Sequence, residues 1–219
     1  MDPARRGRVV VLNGGSSSGK TAIARRLQME LDGSWLVLGV DLFLWMLPSR
    51  LFDDPAGLTI RDGVLGRGDE FVRLYVAFQR ATATLAASGV DLLIDDELLD
   101  GARDQRSWMT ALSDLDVCWV GVRCDPEVAE QRTAQRGDRV AGAARAQAES
   151  VHEGVQYDFE LDTGALDADQ TARVVAAHLR ARWPSLGAST SEVPFTYPLT
   201  SAWTANGSIL PAPWERRPT

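Results

Sequence analysis

The chain has 219 residues, of which 45% are hydrophobic and 24% charged, and this is enough for one globular α/β domain with a sizeable core. Its formal net charge of −7 leaves no basic footprint, so we expect no nucleic-acid partner. Neither a membrane-length apolar run nor a signal-peptide core is present, so we expect a cytoplasmic protein without a membrane segment.

Short apolar runs predict five buried strands, at 8–13, 36–40, 90–94, 117–122 and, more weakly, 157–161. Helical spacing lies between them, as at Phe71, Leu74, Tyr75 and Phe78. Strands that alternate with helices predict an α/β fold with a parallel five-stranded sheet and helices on both faces. In such folds, ligands bind at the carboxyl ends of the strands.

Two regions depart from this alternation. Residues 49–69 hold four glycines and charges of both signs, and we interpret them as an excursion near the mouth of the second strand. From Pro184 onward the chain carries six of its ten prolines and no apolar period. We therefore predict one domain over residues 1–186 and an irregular Pro/Ser/Thr-rich extension over residues 187–219.

A phosphate-binding motif follows the first strand. The pattern G-x-x-x-x-G-K-[ST] is matched in full by Gly14, Gly15, Ser16, Ser17, Ser18, Gly19, Lys20 and Thr21. In this motif backbone N–H groups surround the phosphates, the lysine reaches the β and γ oxygens, and the last hydroxyl binds Mg²⁺. A strand before the motif and a helix after it predict a site for ATP and Mg²⁺.

Carboxylates follow two other strands. Asp41 comes directly after the second strand, where it could orient an acceptor hydroxyl and take its proton, or else cap the next helix. Asp95 and Asp96 follow the third strand and are candidate Mg²⁺ ligands, with Glu97 beside them, although turn capping is equally possible. Because neighbouring residues of an extended chain point to opposite sides, we expect only one of the two aspartates to face the site.

Arginines cluster after the fourth strand, at Arg132, Arg136 and Arg139. We predict a lid around residues 132–142 in which these side chains cover the transferred phosphoryl group. The alternative is a solvated basic helix face. Beside Asp41, the apolar Phe43, Trp45 and Met46 either line an acceptor pocket or belong to the core.

Several segments together resemble the chloramphenicol phosphotransferase family along roughly residues 8–182; they read LNGGSSSGKT, LGVD, LLIDDELL, DLDVCWVGVRCD, RGDRVAG and VHEGVQYDFELDT. The resemblance implies a shikimate-kinase-like sheet of order 2-3-1-4-5 and transfer of the γ-phosphate of ATP to a hydroxyl of a small molecule. It further implies a role in antibiotic resistance or self-protection.

The same resemblance assigns roles to residues. It implies Asp41 as general base and Lys20 and Thr21 as phosphate and Mg²⁺ contacts. It implies a lid and nucleotide clamp made by Arg132, Arg136 and Arg139, and it places Thr163 near the adenine pocket. Where the family has a small polar residue after the aspartate, this chain has Leu42, and residues 49–69 match the family poorly.

Chloramphenicol or a similar antibiotic is thus the leading acceptor, and two other readings remain. A metabolic kinase of the shikimate or gluconate type would need basic residues for an acidic acceptor, and the candidates are Arg50, Arg61, Arg67 and Arg73. A non-catalytic nucleotide-binding module that signals through its tail is the third reading. The sequence carries no signal for an oligomeric state.

Overall fold

The structure is a computed structural model, and it describes residues 5–61, 64–136, 143–164 and 166–187. The strands in these ranges are β1 (Val9–Asn13), β2 (Trp35–Gly39), β3 (Leu58–Arg61), β4 (Val64–Arg67), β5 (Asp91–Asp96), β6 (Val117–Arg123) and β7 (Phe159–Asp162). The helices are α1 (Lys20–Glu30), α2 (Val40–Met46), α3 (Asp69–Ala87), α4 (Ala102–Ala111), α5 (Pro126–Arg136), α6 (Ala143–Ser150) and α7 (Ala168–Arg182), with a 3₁₀ turn at Ser49–Leu51. Among the described helices, none has both the length and the apolarity that crossing a membrane would need.

Five strands form one sheet in the order β2-β5-β1-β6-β7, and every neighbouring pair is parallel. The predicted parallel five-stranded sheet is therefore confirmed. The strand numbers differ from the predicted order 2-3-1-4-5 because an unpredicted hairpin, β3–β4, precedes the third sheet strand in the chain. Counted within the sheet alone, the strands lie in the order second, third, first, fourth and fifth.

Helices cover both faces of the sheet. On one face, α1 packs against α7, and a buried cluster that includes Leu12, Ile23 and Val175 fills the space beneath them. On the other face, α2, α3 and α4 bury a second cluster that includes Phe43 and Trp108. Burial on both sides explains why β1 reads as an unbroken apolar run before its final asparagine.

The observed element boundaries place three of the predicted carboxylates in different elements from those expected. β5 runs two residues further than predicted, so Asp95 and Asp96 belong to the strand itself. β2 ends at Gly39, and the chain turns at once into α2, so Asp41 lies in the first turn of a helix. The helix forms because its spacing buries Phe43 and Leu47, one turn apart, in the same core cluster.

The predicted excursion at residues 49–69 contains the 3₁₀ turn and the β3–β4 hairpin. Arg67 fixes the hairpin to α4, since its guanidinium donates to Asp104 Oδ2 at 2.9 Å and also pairs with Asp100. Of the predicted extension over residues 187–219, residues 188–219 lie outside the described part of the chain.

Candidate active site

The carboxyl ends of three neighbouring strands meet at one edge of the sheet. Asn13 at the end of β1 pairs with Asp96, and Gly39 at the end of β2 pairs with Asp95. The phosphate loop, the start of α2 and the end of β5 therefore converge. They enclose a polar cavity lined by Ser17, Gly19, Lys20, Thr21, Ala22, Val40, Asp41, Asp95 and Glu97.

Lys20 begins α1 at the end of the phosphate loop and is 6% exposed. Its ammonium group donates to the carbonyl oxygens of Gly14 at 2.7 Å and Gly15 at 2.9 Å, and it lies 3.6 Å from Glu97 Oε1. The loop thus holds a buried positive charge at the position where the motif predicts phosphate oxygens.

Two further observations fit phosphate groups in this loop. The Ser18 hydroxyl is buried and has no hydrogen-bond partner among the described residues. Gly19 has φ of 98°, and a Cβ placed on it would meet no atom within 4 Å, so the backbone borders open space. The loop therefore offers an unpaired hydroxyl and room beside its amides, as a bound triphosphate would require.

Side chains from distant elements brace this loop. The Ser16 amide donates to Gln147 Oε1 in α6 at 3.1 Å. The Thr163 hydroxyl, after β7, donates to the Ser18 carbonyl at 2.9 Å. Thr163 was predicted as a nucleotide contact. In the structure it is 4% exposed and supports the loop from behind. Gln147 was not predicted, and no local pattern in the sequence distinguishes it.

Thr21 and Asp95 form the candidate Mg²⁺ position. The Thr21 hydroxyl donates to Asp95 Oδ2 at 2.5 Å, which joins the first turn of α1 to the end of β5. Burial raises the pKa of Asp95, while the Lys20 charge and the Thr21 hydroxyl act in the opposite direction. No group of three or more His, Cys, Asp or Glu side chains that could hold a metal occurs in the described ranges. Mg²⁺ in nucleotide sites typically uses one or two protein oxygens together with phosphates and water, so this pair fits the ion.

Asp96, the other predicted metal ligand, points away from the cavity, and we correct that prediction. Its carboxylate accepts hydrogen bonds from the Tyr75 hydroxyl and the Trp108 indole, and the residue is 1% exposed. Burial raises the pKa of Asp96 to about 6, although these donors oppose the shift. The alternation of side chains along β5 sends Asp95 to the cavity and Asp96 into the core.

Asp41 lies on the exposed side of α2 and lines the cavity together with Lys20 and Thr21. The same side of the helix exposes Leu42, Trp45 and Met46, which are 37%, 53% and 60% exposed. Phe43, by contrast, is 3% exposed and packs among Phe71, Tyr75 and Phe78. Of the three apolar residues considered for an acceptor pocket, one is therefore core and two remain available.

The predicted arginine cluster is only partly described. Arg132 donates to the Thr163 carbonyl at 3.0 Å and contacts Cys124 Sγ at 3.5 Å, so it braces the region behind the phosphate loop. Arg136 ends α5, but its side chain lies outside the described part, as does the whole of Arg139. The lid at 132–142 therefore stays a prediction.

A buried polar network lies behind the phosphate loop, and it was not predicted from the sequence. Asn13 is fully buried, donates to Val151 O at 2.8 Å and to the Tyr157 hydroxyl at 2.6 Å, and accepts from the Leu98 amide. Tyr157 in turn bonds His152 Nδ1 at 2.6 Å. Burial lowers the pKa of His152 to about 4, which keeps the ring neutral and able to accept the Tyr157 hydrogen. The one feature of the sequence that could have indicated this network is the asparagine at the end of the apolar first strand.

Comparison with protein families gives a match over most of the chain. A family model described as chloramphenicol phosphotransferase-like protein matches residues 7–180. A protein of Mycobacterium tuberculosis strain H37Rv, named "Putative O-phosphotransferase Rv2636", is 32% identical over 184 residues, which covers 76% of this chain and 80% of that protein.

Solved structures share the fold. The tunicamycin resistance protein of Deinococcus radiodurans superposes with a TM-score of 0.55 at 23% identity, over 80% of this chain and 96% of that chain. Shikimate kinase from Acinetobacter baumannii, in complex with shikimate, gives 0.54 at 14% identity, over 83% of this chain and 96% of that one. At these identities the comparison establishes the fold of a P-loop kinase.

Proposed function

Since this chain belongs to the chloramphenicol phosphotransferase-like family, we propose that it transfers the γ-phosphate of ATP to a hydroxyl of chloramphenicol or a similar antibiotic. Family and fold make the chain an ATP-dependent O-phosphotransferase of the P-loop kinase type. The identity of the acceptor is the proposed part. The observation that supports the transfer itself is that the Asp41 carboxylate lines the same cavity as Lys20 and Thr21.

The phosphate loop and its neighbours would hold the donor. Lys20 would exchange its contacts with the loop carbonyls for phosphate oxygens, where its charge offsets the charge of the triphosphate. Thr21 and Asp95 are the side chains placed to hold Mg²⁺. When bound, this ion would neutralise charge on the phosphates and orient them.

Asp41 would act on the acceptor. An exposed carboxylate can accept a hydrogen bond from the acceptor hydroxyl and take its proton as the oxygen bonds to the γ-phosphorus. The bond from that phosphorus to the β–γ bridging oxygen then breaks, and ADP leaves with the electron pair. General-base help of this kind contributes roughly 10²–10⁴-fold in rate.

The surface beside Asp41 favours a neutral, largely apolar acceptor. Trp45 follows Asp41 by one helical turn, and Leu42 and Met46 extend the same exposed side of α2. A metabolic kinase of an acid would need free cations, yet Arg67 is paired with Asp104 and Asp100. Arg73 is likewise paired with Glu70. Arg50 is exposed in the 3₁₀ turn, and the side chain of Arg61 lies outside the described part of the chain. The exposed apolar side chains of α2 thus favour the antibiotic reading, and Arg50 is the described candidate that an acidic acceptor would use.

We also place the reaction in the cytoplasm. The two cysteines, Cys118 and Cys124, are both free and buried, and unpaired thiols suit a reducing compartment that supplies ATP.

Acceptor-dependent ATP consumption tests the proposal. Purified protein is assayed with ATP and Mg²⁺, with and without chloramphenicol, and shikimate and gluconate serve as alternative acceptors. We expect chloramphenicol to stimulate ATP consumption. The chloramphenicol-dependent rate of D41N should be at least about 100-fold lower than that of the wild type. D69N is the matched control, because Asp69 also lies exposed in the first turn of a helix but outside the cavity.

The two parts of the proposal can fail separately. If chloramphenicol does not stimulate the wild type, the antibiotic assignment is wrong, and stimulation by shikimate or gluconate would replace it. If chloramphenicol stimulates both the wild type and D41N, the acceptor is right and Asp41 is not the base.

A further inference from the structure

The phosphate loop contains two residues with left-handed backbone conformation. Gly19 has φ of 98° and Ser17 has φ of 62°. Glycine adopts this region freely, whereas for a residue with a Cβ it is disfavoured by a factor of roughly 5–30. At Ser17, therefore, some other interaction must favour a conformation that the residue itself disfavours.

That interaction comes from a residue distant in the chain. The Ser17 hydroxyl lies 2.8 Å from the hydroxyl oxygen of Thr133 in α5, and the two residues are each 6% exposed. Thr133 donates its own hydrogen to the Ala129 carbonyl at 2.9 Å, one turn earlier in the helix. The Thr133 oxygen is thus left to accept the hydrogen of Ser17, and α5 holds this oxygen in a fixed position.

We propose that Thr133 is a positioning residue for ATP binding. Its hydroxyl holds Ser17 in the left-handed conformation and so fixes the conformation of the phosphate loop before the nucleotide binds. Ser17 also lines the cavity, directly before Ser18 and Gly19, so its backbone angles decide where the following N–H groups point. A loop that is already set loses less conformational freedom on binding, and affinity rises accordingly. This inference rests on the proposed use of ATP.

Isothermal titration calorimetry of ATP with Mg²⁺ tests it on the full chain, with no acceptor present. The variants are T133V, which keeps the shape but removes the hydroxyl, T133S, which keeps the hydroxyl, S17G, and the double variant S17G/T133V. Losing one hydrogen bond should weaken ATP binding by T133V roughly 3- to 10-fold, while T133S should bind within about 2-fold of the wild type. The melting temperature without nucleotide verifies that each variant folds.

The S17G background separates positioning from a merely structural contact. Glycine needs no hydrogen bond to remain left-handed, so adding T133V to S17G should cost less than about 2-fold in affinity. An equal loss from T133V in both backgrounds, or no loss in either, would overturn the inference. If the wild type itself does not bind ATP, the proposed donor is wrong, and this outcome is distinct from wild-type binding that T133V leaves unchanged.

Discussion

Asp95 and Asp96 are adjacent in β5, yet their carboxylates point to opposite sides of the sheet. Asp95 accepts a hydrogen bond from the Thr21 hydroxyl at the edge of the cavity, whereas Asp96 accepts hydrogen bonds from Tyr75 and Trp108 in the core. The two residues have the same chemistry, so their different surroundings lead to different expectations for metal binding and for stability.

Replacing Asp95 should affect the Mg²⁺ requirement. D95N keeps the size of the side chain but removes the charge that would attract the ion. We expect the Mg²⁺ concentration for half-maximal acceptor-dependent activity to rise by roughly 10- to 100-fold. A Mg²⁺ titration at saturating ATP measures this, with D114N, in an exposed turn between α4 and β6 and outside the cavity, as control. An unchanged requirement in D95N would remove Asp95 from the ion site.

Asp96 should make stability depend on pH between about 4 and 6. Its pKa is about 6 in the folded protein and ~3.9 in an unfolded chain, so the unfolded state releases the proton first as pH rises. The free energy of unfolding therefore falls by on the order of 3 kcal/mol across this range through this group.

Urea unfolding of the wild type and D96N at pH 4 and pH 7 isolates that contribution. The variant cannot titrate at this position, so the stability difference between the two proteins should shift in favour of the variant as pH rises. D69N is the matched control, because it makes the same change at an exposed aspartate in the first turn of α3. Parallel pH profiles for the wild type and D96N would contradict the raised pKa of Asp96.

Trp45 should contribute to acceptor binding and not to ATP binding. W45A removes the largest exposed apolar side chain next to Asp41, so the KM for the antibiotic should rise by about 10-fold while the KM for ATP stays within 2-fold. M109A is a suitable control, because Met109 is 51% exposed on α4 and does not line the cavity. Equal changes in both KM values would indicate a general disturbance of α2.

Tyr157 should matter for stability. Y157F removes the hydroxyl that accepts from Asn13 and bonds His152, which leaves two buried polar groups short of a partner. We expect a loss of about 1–3 kcal/mol in the free energy of unfolding at pH 7, measured by urea titration. A loss below about 0.5 kcal/mol would mean that water replaces the missing hydroxyl.

Local patterns in the sequence were sufficient for the sheet and the phosphate loop. The strand at β1, the loop and α1 are contiguous, and glycine, lysine and threonine at fixed spacing have one well-understood use. The boundary of β2 was harder to predict, because VDLFLWM reads as apolar in either state and only the burial of Phe43 and Leu47 on one side selects a helix. The β3–β4 hairpin was missed, although Leu58 and Ile60 alternate with Thr59 and Arg61, and Asp62-Gly63 is a common two-residue hairpin turn in the sequence.

The sequence by itself predicted a P-loop kinase fold, the residues that would hold the phosphates, and the candidate base at Asp41, because each prediction starts from a short run of neighbouring residues. Only the tertiary structure decided that Asp95 faces the cavity and Asp96 does not, and that Thr133 and Gln147 brace Ser17 and Ser16 from more than a hundred residues away. Such contacts depend on how helices pack over the sheet, and helix packing is set by the summed burial of many side chains with no local pattern of its own.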